Sequence, residues 1–416
     1  MGEKADSELV RRQNRRIVLD ALRQRGNLAR VELGRATGLS PASITAISAQ
    51  LIEDKIIEEV DEPMGSALTG KRGRPIVRLS LRAEATHVAV VKISIDAVSM
   101  MLADFQGRVT AERAFRIPTY GSEQATFGET LAATLASFIE EHRGKSGVAR
   151  VGIAVQGLAD SRSGSINWSP VFRARHVPIA PAIEKRLQVP VMVVNDANMI
   201  AEGLLSMDRE SYGGNTAVVF LGYGVGMGLI LNGAVYHGAT GAASEFGHMN
   251  HLPDGALCRC GRKGCLEAYA ADYAILRTAY GTPQDEPRMS AVDPAQMIEL
   301  MNKAKAGDTV ALNAYEAAGT ALGFGIARTI ALLNPDRIIL AGPGTRALEL
   351  IEPAMHRAIK DGVVDEISRH VTIEHVSFDK DMIARGTIDA LLRGLVRDVF
   401  SQGPSRASAT HMEFAK

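Results

Sequence analysis

Three cysteines, Cys258, Cys260 and Cys265, stand close together and are the whole thiol complement of a 416-residue chain. An odd number in so tight a cluster is a poor disulfide framework, and in a reducing compartment it is a good soft-ligand set. One imidazole would complete a closed tetrahedral site for structural zinc, and both His248 and His251 compete for that fourth place. Reduced, buried thiols are the bland alternative. A second cluster, Val193-Val194-Asn195-Asp196, puts an amide and a carboxylate at the carboxyl end of an apolar strand. Ligands sit there in open α/β sheets, and Asp196 could take a proton from a hydroxyl; equally, Asp196 and Asn198 could cap the next helix. A third run, GYGVGMG, alternates glycines at 222, 224, 226 and 228. That spacing suits either a backbone that approaches phosphate or a tight hairpin.

The elements that must position these groups read as α/β from about residue 84 onward. Apolar strands are predicted over 88–95, 98–103, 151–155, 189–194, 217–221, 229–231 and 337–341, with helices over 126–142 and 320–333. A strand-and-hairpin start appears twice, near 88 and near 217, and predicts two similar lobes. In front lies a different unit. Residues 12–25 and 28–37 read as helices closed by Gly26 and Gly38. Ser40 and Pro41 then open a third helix with apolar Ile44, Ile47, Leu51 and Ile52 on one face. Two helices joined across Gly38-Leu39-Ser40 have helix-turn-helix spacing. Short extended runs at 56–60 and 76–80 around a Gly-rich basic loop, residues 65–75, complete the outline of a winged helix-turn-helix.

Charge supports that reading locally and hides it globally. The chain carries 47 basic and 47 acidic residues, a net of zero. Yet Arg11, Arg12, Arg15, Arg16, Arg23, Arg25, Arg30 and Arg35 face only Asp20 and Glu32 across residues 10–50, and Lys71, Arg72, Arg74, Arg78 and Arg82 follow without an acid. Ala42, Ser43, Thr45, Ala46, Ser48 and Gln50, opposite the apolar stripe of the third helix, suit base edges and thymine methyls. Arg30, Arg35, Arg72 and Arg74 would supply the phosphate attraction, with Ser40 at the helix start. A composition of 46% hydrophobic and 23% charged residues excludes a disordered chain. No apolar run is read as a membrane span, and the start MGEKADSELVRRQNRR has no apolar leader core.

The run GHMNHLPDGALCRCGRKGCLE resembles the zinc signature of the ROK family of repressors and sugar kinases. The likeness continues through VVNDAN, GYGVGMG, EFGH and NPDRIILAGPG, and the helical front with GKRGRP resembles the family's sugar-responsive repressors. It implies an actin-like, ribonuclease H-like sugar-kinase fold of two lobes behind a winged helix-turn-helix. The implied boundaries are 1–82 for the DNA-binding domain, 83–195 plus 385–400 for one lobe, and 196–384 for the other with its zinc knuckle. A polar tail, 401–416, is left over. It implies structural zinc on His248, Cys258, Cys260 and Cys265, and a sugar pocket lined by Asn195, Asp196, Glu245, His248 and Glu267, with His248 serving metal and sugar through different nitrogens.

Departures from the family pattern separate regulator from kinase. Where kinases carry an Asp-x-Gly-Gly-Thr phosphate loop, this chain reads Lys92-Ile93-Ser94-Ile95-Asp96. Tyr223 replaces a Thr in the second hairpin, and residues 341–344 lack one glycine. Phosphoryl transfer rests on positioning and charge stabilisation, so Asp196 is expected to be a vestigial base and the chain not to be an enzyme. Val171 stands where kinases hold sugar hydroxyls with an Asn, at a cost of roughly 1–3 kcal/mol for an unpaired hydroxyl. Arg173 or Arg175 would have to compensate, or the effector is a protein partner. The sequence thus predicts a cytoplasmic, dimeric or tetrameric repressor of carbohydrate genes, with operator DNA and a sugar-derived effector as partners. The alternative is an ATP-dependent sugar kinase with a fused DNA-binding domain.

Overall fold

The structure, a computed structural model, describes residues 2–61, 77–122, 124–142, 146–283, 285, 292–377, 379 and 381–402. Helix α1 (Gly2–Arg25) starts well before the predicted residue 12. No glycine or proline interrupts residues 3–25, and the (i, i+4) pairs Glu8–Arg12 at 2.5 Å and Arg16–Asp20 at 3.5 Å support the extension. Gly26 then takes a left-handed φ of 75° and ends it. Leu28 and Ala29, predicted as helix, instead form strand β1 (Leu28–Ala29), because they pair with Leu79 and Arg78.

Helix α2 (Arg30–Thr37) stops at Gly38, whose N–H bonds Gly34 O at 2.9 Å. Helix α3 (Pro41–Glu53) starts where Ser40 Oγ accepts the Ser43 N–H at 3.2 Å. Strands β2 (Ile57–Asp61) and β3 (Val77–Leu81) are antiparallel, and β3 lies between β1 and β2. Val18, Leu22, Leu33, Ile44, Ile47 and Leu51 close the core of this head. The same cluster continues into Val88, Met101 and Phe105 and into Ile388, Leu391 and Leu395, so the head is seated on the first lobe by shared apolar burial.

The first lobe runs β4 (His87–Ser94), β5 (Ala97–Asp104), β6 (Val109–Phe115), α4 (Gln124–Glu141), then β7 (Val148–Val155). A small antiparallel sheet follows, β8 (Leu158–Asp160), β9 (Ser165–Trp168) and β10 (Val177–Pro178). Helix α5 (Ala180–Leu187) and strand β11 (Val191–Asn195) complete it, and helix α6 (Asp196–Met207) follows, packed against residues of both large sheets. The second lobe carries β12 (Thr216–Leu221), β13 (Val225–Leu231), β14 (Ala234–Val235), β15 (Arg337–Ala341) and β16 (Thr372–His375). The sheet orders are β11-β7-β4-β5-β6 and β14-β13-β12-β15-β16. In each, the first three strands are antiparallel neighbours and the last two join in parallel beside the first. Two lobes of one topology, expected from the repeated hairpin start, are present.

The helix Thr309–Leu333 is longer than the predicted 320–333, and by length and composition alone it could cross a bilayer. Its most apolar window is 56% buried within the fold, against the second sheet's core. Ser401, assigned from sequence to a polar tail, is buried in a short turn beside Phe400, whose ring meets Phe105 edge-on at 4.8 Å. Residues 403–416 lie outside the described residues.

Candidate functional site

Gly261 and Gly264, at φ 89° and 80°, bend the chain so that Cys258, Cys260 and Cys265 face one point. The short turn Phe246–His248 brings His248 to it. The four ligand atoms all lie within 4.8 Å of one another. Cys260 Sγ and Cys265 Sγ are 3.7 Å apart, as are Cys258 Sγ and His248 Nδ1. A tetrahedron with arms of about 2.3 Å has edges of about 3.8 Å, so the donor set fits zinc in size and chemistry. His251 drops out of the competition: its ring packs edge-on against Tyr269, and its Nδ1 is buried without a partner. The closed set leaves no open coordination position, so the ion would hold the knuckle together and supply no chemistry of its own.

The other nitrogen of His248 points away from the thiols. Nε2 is 3.8 Å from Glu245 Oε2, and the ring meets Trp168 edge-on at 5.1 Å. A cavity there is lined by Asn195, Asp196, Glu245, His248 and Glu267, together with Gln156, Trp168 and residues 225–227 of β13. All five residues nominated from the sequence meet in this one space. Asn195 caps α6 through Asn198 N at 3.2 Å and donates its amide to Gly157 O at 2.9 Å. Asp196 begins α6 and accepts the Ala197 N–H at 2.9 Å. Asn195 therefore both caps and lines, whereas Asn198, offered from the sequence as a cap, is the residue whose N–H is capped.

Burial pushes Asp196 up to about 6, against the opposing Ala197 hydrogen bond and the charge of Lys92. Burial also pushes Glu245 up to about 7, opposed by His248 and reinforced by Glu267 and Asp196. Two carboxyls that titrate near neutrality can accept hydrogen bonds from a polyhydroxylated ligand or donate to it.

Sequence reasoning missed Arg259. Its fully buried guanidinium donates to Tyr223 O at 3.0 Å and to Glu267 Oε1 at 3.2 Å, and lies 4.0 Å over the Tyr223 ring. It binds the knuckle, the glycine hairpin and a cavity carboxylate into one block. Its place between Cys258 and Cys260 was the available signal. Trp168 and Gln156 had none, because the small sheet and the end of β7 bring them in from afar.

Other nominated residues lie elsewhere. Arg173 and Arg175 are exposed and line neither this cavity nor the space beside Lys92; Val171 is buried. Lys92, Ser94 and Ile95 line a neighbouring cavity of about 290 Å³ with Asp196, Tyr223 and Gly224. The β4–β5 turn there is a tight two-residue one, and Asp96 locks it by exchanging hydrogen bonds with Thr119 at 2.9 and 3.0 Å. In the head, Arg35, Ser40, Ala42 and Thr45 are exposed, and Ser43 is half-buried. Arg30 is engaged with Glu59 at 2.8 Å and Ser48 at 3.2 Å. Ser48, expected on the outward face of α3, is fully buried, because it lies one turn after Ile44 on the buried face and Arg30 covers its hydroxyl. Arg72 and Arg74 lie outside the described residues.

Residues 89–392 match the ROK family, and the chain belongs to it. It is 29% identical over 354 residues to the DNA-binding transcriptional dual regulator NagC of Escherichia coli (strain K12), covering 85% of this chain and 86% of the relative. Among solved structures, a ROK family transcriptional regulator, a homolog of the E. coli MLC protein, aligns at TM-score 0.76 and 26% identity, covering 93% of this chain and 98% of that one. A ROK family glucokinase from Streptomyces griseus, in complex with glucose and AMPPNP, aligns at 0.56 and 25%, covering 73% of this chain and 97% of its own.

Proposed function

We propose that this chain is a DNA-binding transcriptional regulator of the cytoplasm, a repressor of carbohydrate-uptake or catabolic genes that is released by a sugar-derived effector. The observation that carries the reading is coverage. The regulator of known structure covers 93% of this chain, too much to leave out the head, whereas the glucokinase covers 73%, no more than the length of the two lobes. The N-terminal unit is then a winged helix-turn-helix that lays the exposed strip Ala42-Thr45-Ala46 of α3 in the major groove. Arg35 and the loop bearing Arg72 and Arg74 meet phosphates. One such head buries little DNA, so a two-fold dimer, alone or within a tetramer, on a pseudo-palindromic site is the working assembly.

The effector sits among Asn195, Asp196, Glu245, His248 and Glu267, on a wall held by zinc. A sugar supplies both donors and acceptors to that ring of carboxylates, and Trp168 offers an apolar face to its ring carbons. A protein partner in place of a sugar is the alternative trigger. Release requires that the effector bind one lobe arrangement better than the other. The test is titration of the dimer onto duplex DNA from upstream of its own reading frame, with a panel of hexoses, pentoses, amino sugars and their phosphates. Operator affinity unchanged by the whole panel would remove the sugar trigger, and no binding to duplex DNA would remove the regulator.

A second reading, an ATP-dependent sugar kinase, draws on the glucokinase likeness and on Asp196 in the cavity. Lys92 and Ser94 at the end of β4, with Ile95 in its turn, carry side chains where a phosphate loop needs bare backbone, which argues for a retired kinase. ADP release measured over the same panel decides between the two.

A further inference from the structure

Helix α6 is gripped on two sides by backbone-to-backbone contact. A Cβ on Gly386 of the C-terminal helix Met382–Asp398 would lie 1.8 Å from Met199 O, and one on Gly228 of β13 would lie 2.5 Å from Ala197 O. A helix packed so closely cannot tilt without moving its neighbours, because interiors are bistable and not softly deformable. Its first residue, Asp196, faces the cavity. Its buried Glu202 faces the other way.

Glu202 is 5% exposed and takes a hydrogen bond from Arg393 Nη2 on the C-terminal helix. Its other oxygen is 3.8 Å from His237 Nε2. His237 opens the loop that returns through Ala243, bonded to His237 O at 3.2 Å, to Glu245 of the cavity. On the far side, Arg393 Nη1 is 3.1 Å from Asp389 Oδ2, and Asp389 Oδ1 receives a hydrogen bond from Arg23 of α1. Arg23 and Asp389 are 10% and 12% exposed at their side chains. Two acids and two arginines thus form a chain of ion pairs from α6 to the last turn of the head's first helix, where the charge of Asp20 also acts on Arg393.

We propose that Glu202 and Asp389 form with Arg393 and Arg23 an ionic relay that ties the tilt of α6 to the seat of the DNA-reading head. Ion pairs this buried contribute little net stability, since desolvation offsets their attraction, but breaking one leaves an uncompensated charge. The arrangement is therefore suited to holding one geometry and releasing it when α6 moves. The relay starts from the helix that lines the cavity of the proposed function, and its test needs neither operator nor effector.

The test is amide hydrogen exchange of the full-length, zinc-loaded chain. Glu202→Gln should speed exchange in residues 19–25 of α1 by at least about threefold, as should Arg23→Gln, and the double variant should go no further than either single one, as expected for members of one network. Arg393→Lys keeps the charge but loses the fork. It should show the same response at smaller amplitude and serves if the Gln variants fold poorly. Faster exchange confined to α6 and residues 236–245, additive effects in the double variant, or no change in α1 for Arg393→Lys would each overturn the relay. If the relay holds while operator affinity ignores every sugar, only the sugar trigger fails. If sugars release the operator without a relay, only this inference fails.

Discussion

The two lobes carry the same hairpin in the same place of the same sheet, and the two hairpins have met opposite fates. In the first, β4 and β5 join through Ile95 and Asp96, with side chains throughout and a hydrogen-bonded clamp from Asp96 to Thr119. In the second, β12 and β13 keep glycines at 222, 224, 226 and 228. A Cβ at Gly224 would lie 2.1 Å from Gln156 Nε2 and 3.0 Å from Arg259 Nη2, and one at Gly228 would strike α6. The second hairpin therefore needs Gly228 for its packing against α6, nucleotide or none. A glycine-rich hairpin is no evidence of a phosphate cradle when its neighbours already fill the space.

Four experiments would break or sharpen that contrast. The largest effect is expected from Cys260→Ser, which removes the metal and with it the anchor of Arg259 behind the second hairpin. Zinc content should fall to background, with a loss of more than about 4 kcal/mol of stability. Full metal content would refute the ligand set. Next, Gly228→Ala should cost about 2–3 kcal/mol by overpacking, while Ser94→Gly in the first hairpin should stay within about 0.5 kcal/mol. Equal denaturant midpoints for the two variants would erase the distinction.

Asp272 donates its backbone N–H to Gly222 O at 2.9 Å, and burial pushes its carboxyl up to about 6. Because the folded pKa lies above the unfolded value near 3.9, the stabilising contribution of the neutral acid is complete below that value and lost as pH rises through 6. Asp272→Asn, which stays neutral, should gain about 1 kcal/mol on the parent between pH 5 and pH 7.5. A constant difference in stability across that range would show that the group is not desolvated. The smallest change belongs to the head, remote from both hairpins. Arg35→Ala should weaken duplex binding a few-fold at low salt and lower the salt slope by about one, with the melting temperature unchanged. An unaltered salt slope would mean that Arg35 does not face phosphate.

Much of this was legible along the chain. Gly38, Ser40 and Pro41 marked the turn between α2 and α3, and the apolar runs gave the major strands to within a few residues. Asn195, Asp196, Glu245, His248 and Glu267 were nominated from motifs and do share one cavity. The misses have a common cause. Strand β1 reads as helix because only its pairing with β3 makes it extended. Ser48 reads as outward by its polarity, although it follows Ile44 by one turn and lies on the buried face, where Arg30 takes its hydroxyl. Arg259 looks like an exposed residue of a basic knuckle until Tyr223 and Glu267 fold onto it.

Local chemistry is a property of residue type and spacing, so the order of residues alone determined the thiolate set, the repeated hairpins, the helix caps and the charge of the head. Partner choice among groups far apart in the chain depends on distances that no local pattern encodes. Only the tertiary structure decided that His248 and not His251 joins the cysteines, that Arg259 pairs inward, and that Arg23, Asp389, Arg393 and Glu202 meet in one line.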